Sequence, residues 1–264
     1  MSSIIPGRAV VTGASSGIGA VYADRLATRG HALLIVARRG DRLDALAARL
    51  RAQYGADVTT LVADLETSAG LAEVEAAVGN GQLSILVNNA GAGGLGSLAA
   101  VSADALERTI KLNIVALTRL SHAALARFRE QGAGTLVNIA SVMALAPSPS
   151  GAVYSGSKAY VLNFTRSLAF EYADTAVRVQ AVMPGPIRTE FFTSQGLSDS
   201  IFPDSSFISA DQLVDAALAG LDAGETVTIP SLENLATWDT IETARKAFMA
   251  EIGSGAVASR YRVG

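Results

Sequence analysis

Cysteine is absent from the 264 residues, and with it go disulfides, thiolate nucleophiles and cysteine-bound metals. Histidine occurs only at His31 and His122, too few for a histidine cage, so no metal site is expected. No apolar run reaches the roughly 20 residues of a membrane helix, because Arg, Asp, Asn or Gly interrupts each candidate. A basic excess is missing as well: the net charge of -3 leaves no footprint for DNA or RNA. The start, MSSIIPGRAVVTG, lacks the basic-then-apolar build of a signal peptide, which predicts a cytoplasmic protein. No Pro/Gly/Ser linker, charge block or solenoid-length repeat divides the chain. One domain over residues 1–264 is therefore expected.

What is present is apolar: half the residues are hydrophobic and 17% are charged, enough to bury a large core. Short β-branched or leucine-rich runs read as strands at Arg8 to Thr12, Ala32 to Ala37, Val58 to Ala63, Ile85 to Asn88, Thr135 to Ala140, Arg178 to Met183 and Thr226 to Ile229. Between them, apolar residues at helical spacing predict helices such as Gly19 to Arg29, Arg42 to Tyr54, Ala103 to Arg129 and Val153 to Tyr172. This alternation predicts an α/β fold, a doubly wound parallel sheet of about seven strands with helices on both faces. Two regions break the rhythm. Pro184 to Ser209, rich in proline and serine and carrying an exposed-looking Phe191-Phe192 pair, predicts a long loop whose residues 190–209 form a substrate lid. Residues 231–264 predict a C-terminal extension with a helix from Leu232 to Ile252, read as a packing appendage or subunit contact.

After the first strand, Gly13, Gly17 and Gly19 fall where strand turns into helix, with Ser15, Ser16 and Ile18 between them. Glycine permits the tight turn and close backbone approach, and the free N–H groups and helix dipole attract a diphosphate. An ordinary glycine-capped turn is the plainer alternative. Thr12 to Gly19 spell Thr-Gly-x-x-x-Gly-x-Gly, and on this motif the chain resembles the short-chain dehydrogenases/reductases over roughly Pro6 to Thr189. The resemblance implies a Rossmann-type sheet of strand order 3-2-1-4-5-6-7 and a nicotinamide cofactor.

An NAD site carries a carboxylate about 20 residues beyond the glycines to hold the ribose 2′-OH. Arg38 and Arg39 stand there instead. A guanidinium pairs with a 2′-phosphate that a carboxylate would repel, so NADP(H) is favoured, against the alternative that both arginines are simply solvated. The resemblance assigns Asp64, with Leu65 beside it, to the adenine, although Asp64 also fits a helix N-cap. It likewise gives Asn89, Ala90 and Gly91 of the Asn-Asn-Ala-Gly run to the cofactor, where paired asparagines could equally cap a turn. In Pro184-Gly185-Pro186-Ile187-Arg188-Thr189 it implies nicotinamide contacts, through Ile187 and Thr189 above all.

Tyr154 and Lys158 stand at i and i+4 of a predicted helix, which puts phenol and ammonium on one face. A phenol titrating near pH 10 is a poor acid at neutrality, and an adjacent positive charge is expected to lower that value. Ser141 ends a strand thirteen positions earlier, as the resemblance requires, and would hydrogen-bond a substrate carbonyl. Asn113 matches a family asparagine at a local break in a long helix, whose backbone holds a water linked to Lys158; a buried structural asparagine is the even alternative. The implied reaction is hydride transfer from NADPH to a carbonyl carbon, with Tyr154 protonating the oxygen.

On the substrate side, Val142, Met143, Ala144, Leu145, Ala146, Pro147, Val153, Leu95, Pro186, Phe191 and Phe192 are apolar, and only Arg188 could hold an anion. A neutral hydrophobic ketone or aldehyde is expected. Alternatives are an NAD-linked dehydrogenase or epimerase on the same fold, and a dinucleotide-binding regulatory protein without turnover. A homo-oligomer, dimer or tetramer, is implied through pairing of the two long helices.

Overall fold

The computed structural model describes residues 7–147, 149–191, 193, 202–253 and 255–262. Its backbone contacts divide the chain into Met1–Pro230 and Ser231–Gly264. In the first unit, β1 (Arg8–Thr12), β2 (Ala32–Ala37), β3 (Val58–Val62), β4 (Leu83–Asn88), β5 (Ala133–Ile139), β6 (Ala176–Val182) and β9 (Val227–Thr228) form one parallel sheet. Its order is β3-β2-β1-β4-β5-β6-β9, the order that the resemblance implies. Each strand lies within two residues of its predicted bounds at either end.

Alternate residues of the strands feed opposite faces of the sheet. Val11 and Ile35 pack with Tyr22, Leu26, Leu43 and Leu213 on one side, while Val10 and Leu34 pack with Leu86, Leu120 and Phe128 on the other. The helices supplying these layers are α1 (Gly17–Thr28), α2 (Gly40–Tyr54), α3 (Ser68–Gly79), α4 (Ala103–Ile110), α5 (Leu117–Gln131), α6 (Ala152–Glu171) and α7 (Ala210–Asp222). Helix α7 starts on a capping box, in which the Ser209 hydroxyl and the Gln212 side chain each satisfy a backbone N–H of the first turn.

Two expectations change. The helix predicted from Ala103 to Arg129 is interrupted: Lys111–Ala116 form a π-helical turn between α4 and α5, the break foreseen around Asn113. The stretch from Pro184 to Ser209 is more than loop and short helix. β7 (Ile187–Arg188) pairs in parallel with β8 (Ile208–Ser209), and a turn of 3₁₀ helix follows Pro203. Phe192 and residues 194–201 of this stretch lie outside the described residues.

In the second unit, α8 (Leu235–Ile252) starts three residues later than predicted because the Asn234 side chain caps it, accepting from Ala236 N–H at 3.0 Å. No described helix is long and apolar enough to cross a membrane.

Parallel strands deliver their C-terminal ends to one edge, and the order reverses between β1 and β4. The crevice at such a reversal is where open α/β sheets bind ligands. β1 brings the glycine turn to it, β2 the arginines, β4 Asn89, β5 Ser141 and β6 Pro184.

Candidate active site

A cleft of about 750 Å³ opens along this edge. Ser141, Tyr154, Lys158 and every residue expected to hold the cofactor line it, save Gly19; Asn113 does not line it, and the substrate-side residues line it only in part.

The glycine turn answers two different needs. Gly13 and Gly17 have φ of +68° and +53°, a left-handed conformation that a Cβ disfavours. Gly19 has no such φ, but a Cβ there would sit 2.4 Å from the Gly13 carbonyl oxygen, so only glycine lets α1 meet β1. Asn89 locks the turn from the neighbouring strand: its side-chain amide donates to the Thr12 and Gly13 carbonyls at 2.9 and 3.3 Å. The Thr12 hydroxyl in turn accepts the Asn89 and Ala90 N–H groups at 3.0 and 3.1 Å. The asparagine pair thus divides its labour, because Asn88 points into the sheet and donates to Asn138 at 2.9 Å and Ser121 at 3.0 Å.

At the β2 end, Arg39 reaches across the turn and donates to the hydroxyls of Ser15 at 3.0 Å and Ser16 at 2.7 Å. Arg38 is largely exposed and sits 3.4 Å from Glu66. Asp64 holds its own turn, accepting from Glu66 N–H at 3.0 Å, while Thr67 is the residue that caps α3. Gly70 lets α3 close against the Asp64 backbone, where a Cβ would meet the carbonyl oxygen at 2.4 Å.

Tyr154 and Lys158 project from α6 toward the end of β5. Lys158 is buried and donates to the Ile139 carbonyl at 2.8 Å. Burial disfavours its charged form and pushes its pKa down to about 8. Its Nζ lies 5.8 Å from the centre of the Tyr154 ring. The phenol does not titrate low, as the neighbouring ammonium led us to expect. Burial raises it above the ordinary tyrosine value, and a hydrogen bond with Ser141 offsets only part of that rise. Burial therefore keeps the phenol protonated and makes it a weaker acid than a free tyrosine.

Ser141 is buried at the start of a 3₁₀ turn over Val142–Ala144, where its oxygen accepts from Met143 N–H at 3.1 Å. This self-capping turn carries Leu145, Ala146 and Pro147 into solvent, so these residues, with Ala144 and Val153, do not line the cleft as predicted. Leu95, Val142, Met143, Pro186 and Phe191 do, and Leu112 and Phe202 join them. Phe191 is half-buried rather than exposed, its ring 5.7 Å from that of Tyr154. Arg188 is engaged elsewhere, 2.7 Å from Asp204 and stacked over Phe207.

Asn113 occupies the π-helical turn and is almost fully buried. Its amide clamps Ala92 from both sides, accepting the N–H at 2.9 Å and donating to the carbonyl at 2.8 Å. It also donates to Ser157 at 2.9 Å, which donates to the Tyr154 carbonyl at 2.7 Å. The π turn is thereby tied to the helix that carries tyrosine and lysine. Ser157 carries no motif of its own, though its place three residues after Tyr154 puts it on the phenol's face of the helix. Glu190 and Arg42 were likewise not singled out: the Glu190 carboxylate meets Arg39 at 2.9 Å and Arg42 at 2.8 Å. Among the described residues no cluster of His, Asp and Glu could hold a metal ion.

Residues 8–199 match the model of the short chain dehydrogenase family. A short-chain dehydrogenase from Sphingobium yanoikuyae, solved in complex with NADPH, is 44% identical and superposes with a TM-score of 0.93 over 98% of this chain and 100% of its own. The bulky-bulky ketone specific alcohol dehydrogenase from Comamonas testosteroni is 39% identical, with a TM-score of 0.89 over 99% of this chain and 100% of its own. Sulfoacetaldehyde reductase 2 from Chromohalobacter salexigens is 33% identical over 260 residues, 95% of this chain and 98% of its length. Some curated relatives are longer, and the chain spans 60% of the length of one from Anas platyrhynchos at 33% identity. The chain belongs to the short-chain dehydrogenase family and is an oxidoreductase acting on alcohol or carbonyl groups.

Proposed function

We propose that the protein reduces a neutral, hydrophobic ketone or aldehyde with NADPH, Tyr154 serving as the proton donor. The observation that carries this reading is the meeting, in one cleft, of a protonated phenol hydrogen-bonded to Ser141, a buried lysine beneath it and a glycine turn flanked by arginines. The cleft fits the cofactor: Gly13, Ser15, Ser16, Gly17 and Ile18 of the turn line it where a diphosphate would lie, and Arg38 and Arg39 suit a 2′-phosphate. Asp64, Leu65, Asn89, Ala90 and Gly91 would flank the adenosine half, and Pro184, Gly185, Ile187 and Thr189 the nicotinamide half. When bound, NADPH supplies the hydride.

The chain's own groups do the rest. In this reading the Ser141 hydroxyl and the Tyr154 phenol would both donate to a substrate carbonyl oxygen and share its growing negative charge. Tyr154 releases its proton to that oxygen. Lys158, anchored on the Ile139 carbonyl, stabilises the phenolate left behind. Asn113 acts by position, fixing the π turn against α6 through Ser157. In the reverse direction the same groups take the proton from an alcohol.

Leu95, Val142, Met143, Pro186, Phe191 and Phe202 make an apolar wall, and Arg188 is already paired, which supports a substrate without a carboxylate or phosphate. We further read the protein as cytoplasmic and homo-oligomeric. Val115 in the π turn before α5 and Phe170 on α6, exposed at 40% and 78%, support pairing through these two segments. A panel of ketones and aldehydes scored by NADPH consumption tests the activity, with bulky aryl or alkyl ketones expected to turn over and anionic aldehydes not. Sedimentation tests the assembly, a monomer at micromolar concentration being the contrary result.

A further inference from the structure

The arginine end of the cleft already holds an anion of the protein's own. Glu190 follows β7, and its carboxylate is bracketed by two guanidinium groups, Arg39 at 2.9 Å and Arg42 at 2.8 Å to each oxygen. The contact is directed by both neighbours in the chain. The Thr189 methyl lies against the glycine turn, where a Cβ on Gly17 would meet it at 3.1 Å, and the Phe191 ring rests against Tyr154. Three consecutive residues thus span the cleft from turn to tyrosine, with the middle one aimed at the arginines. Arg42 and Arg39 together hold the Glu190 carboxyl below the usual carboxylate range.

Arg39 is also the group best placed for a 2′-phosphate, since it closes over Ser15 and Ser16 at the end of β2. Carboxylate and phosphate ask the same two guanidinium groups for the same fork of hydrogen bonds. We propose that Glu190 is a specificity-determining residue that competes with the 2′-phosphate of NADP(H) for Arg39 and Arg42 and so narrows the protein's preference for NADP(H) over NAD(H). The proposal rests on the cofactor reading above, but its signature is separate from it: the ratio of the two affinities must change when Glu190 loses its charge. Because all three side chains are about half exposed, the competition is modest and screened by salt.

The test is fluorescence titration of wild type and Glu190→Gln with NADPH and, separately, NADH, at low and at high salt. The substitution is expected to tighten NADPH roughly three- to tenfold at low salt, to leave NADH within about twofold, and to lose most of its effect at high salt. An unchanged ratio, an equal gain for both cofactors, or weaker NADPH binding would each overturn the proposal, the last showing that Glu190 orients the arginines instead. A wild type that prefers NADH would overturn the cofactor reading alone if Glu190→Gln still moved the ratio toward NADPH, and both ideas if it did not.

Discussion

At the β5 end of the cleft, Lys158, Asn113 and Ser157 are buried and hydrogen-bonded within the protein, whereas at the β2 end Arg38, Arg39 and Arg42 stand 64%, 42% and 42% exposed and pair with carboxylates across solvent. Buried polar groups are expensive to disturb because a lost partner is not replaced by water. Exposed ion pairs exchange at little cost and weaken with salt. One end therefore behaves as a fixed frame for chemistry and the other as an exchangeable counterion site. The contrast predicts which substitutions alter turnover, which alter stability, and which alter only cofactor choice.

The sharpest break in that contrast comes at the phenol. Tyr154→Phe is expected to lower turnover by about 10² to 10⁴-fold, the range for a lost general acid, while NADPH affinity stays within roughly twofold. Steady-state rates beside a cofactor titration check both halves. Next is the buried lysine, whose pKa of about 8 lies below that of the unfolded chain. Below pH 8 both states hold the proton. Between there and the ordinary lysine value of about 10.4 only the unfolded chain does, so stability climbs with pH across that window by up to roughly 3 kcal/mol. Urea unfolding at several pH values should show the climb in wild type and a flatter profile in Lys158→Met.

Asn113→Ala sharpens the comparison from the structural side. It strips partners from both backbone groups of Ala92 and from Ser157, and a loss of about 1–3 kcal/mol in urea unfolding is expected, together with reduced turnover. Stability equal to wild type would mean that the π turn does not depend on this amide. The smallest effect belongs to the exposed end. Arg39→Ala should weaken NADPH by about tenfold at low salt, leave NADH nearly unchanged and cost little stability. A large stability loss there would erase the distinction between the two ends.

Much of the frame is legible in the residues themselves. Strand positions follow from apolar runs, the glycine turn from spacing, and the shared face of Tyr154 and Lys158 from helical periodicity, because each of these depends on neighbours in the chain. What the sequence hides depends on closure in three dimensions. Glu190 meets Arg39 only because β7 and β8 fold the segment after β6 back over the cleft, and no periodicity announces two strands of two residues each. Phe191 reads as exposed from its serine- and proline-rich surroundings but is half-buried against Tyr154 by the same fold-back. The titration of the phenol is hidden for a related reason: the closeness of Lys158 can be read from i, i+4 spacing, while the burial that raises the phenol's pKa cannot. The start of α7 is a contrary case, since Ser209 and Gln212 spell its capping box three positions apart.

The account turns on Tyr154 giving its proton while hydride arrives from NADPH. The most direct measurement uses NADPH deuterated at both C4 positions and a bulky hydrophobic ketone, and asks by mass spectrometry whether the carbinol carbon carries deuterium. The account predicts one deuterium per alcohol from the wild type and almost no alcohol from Tyr154→Phe. Alcohol formed by that variant at close to the wild-type rate would contradict it.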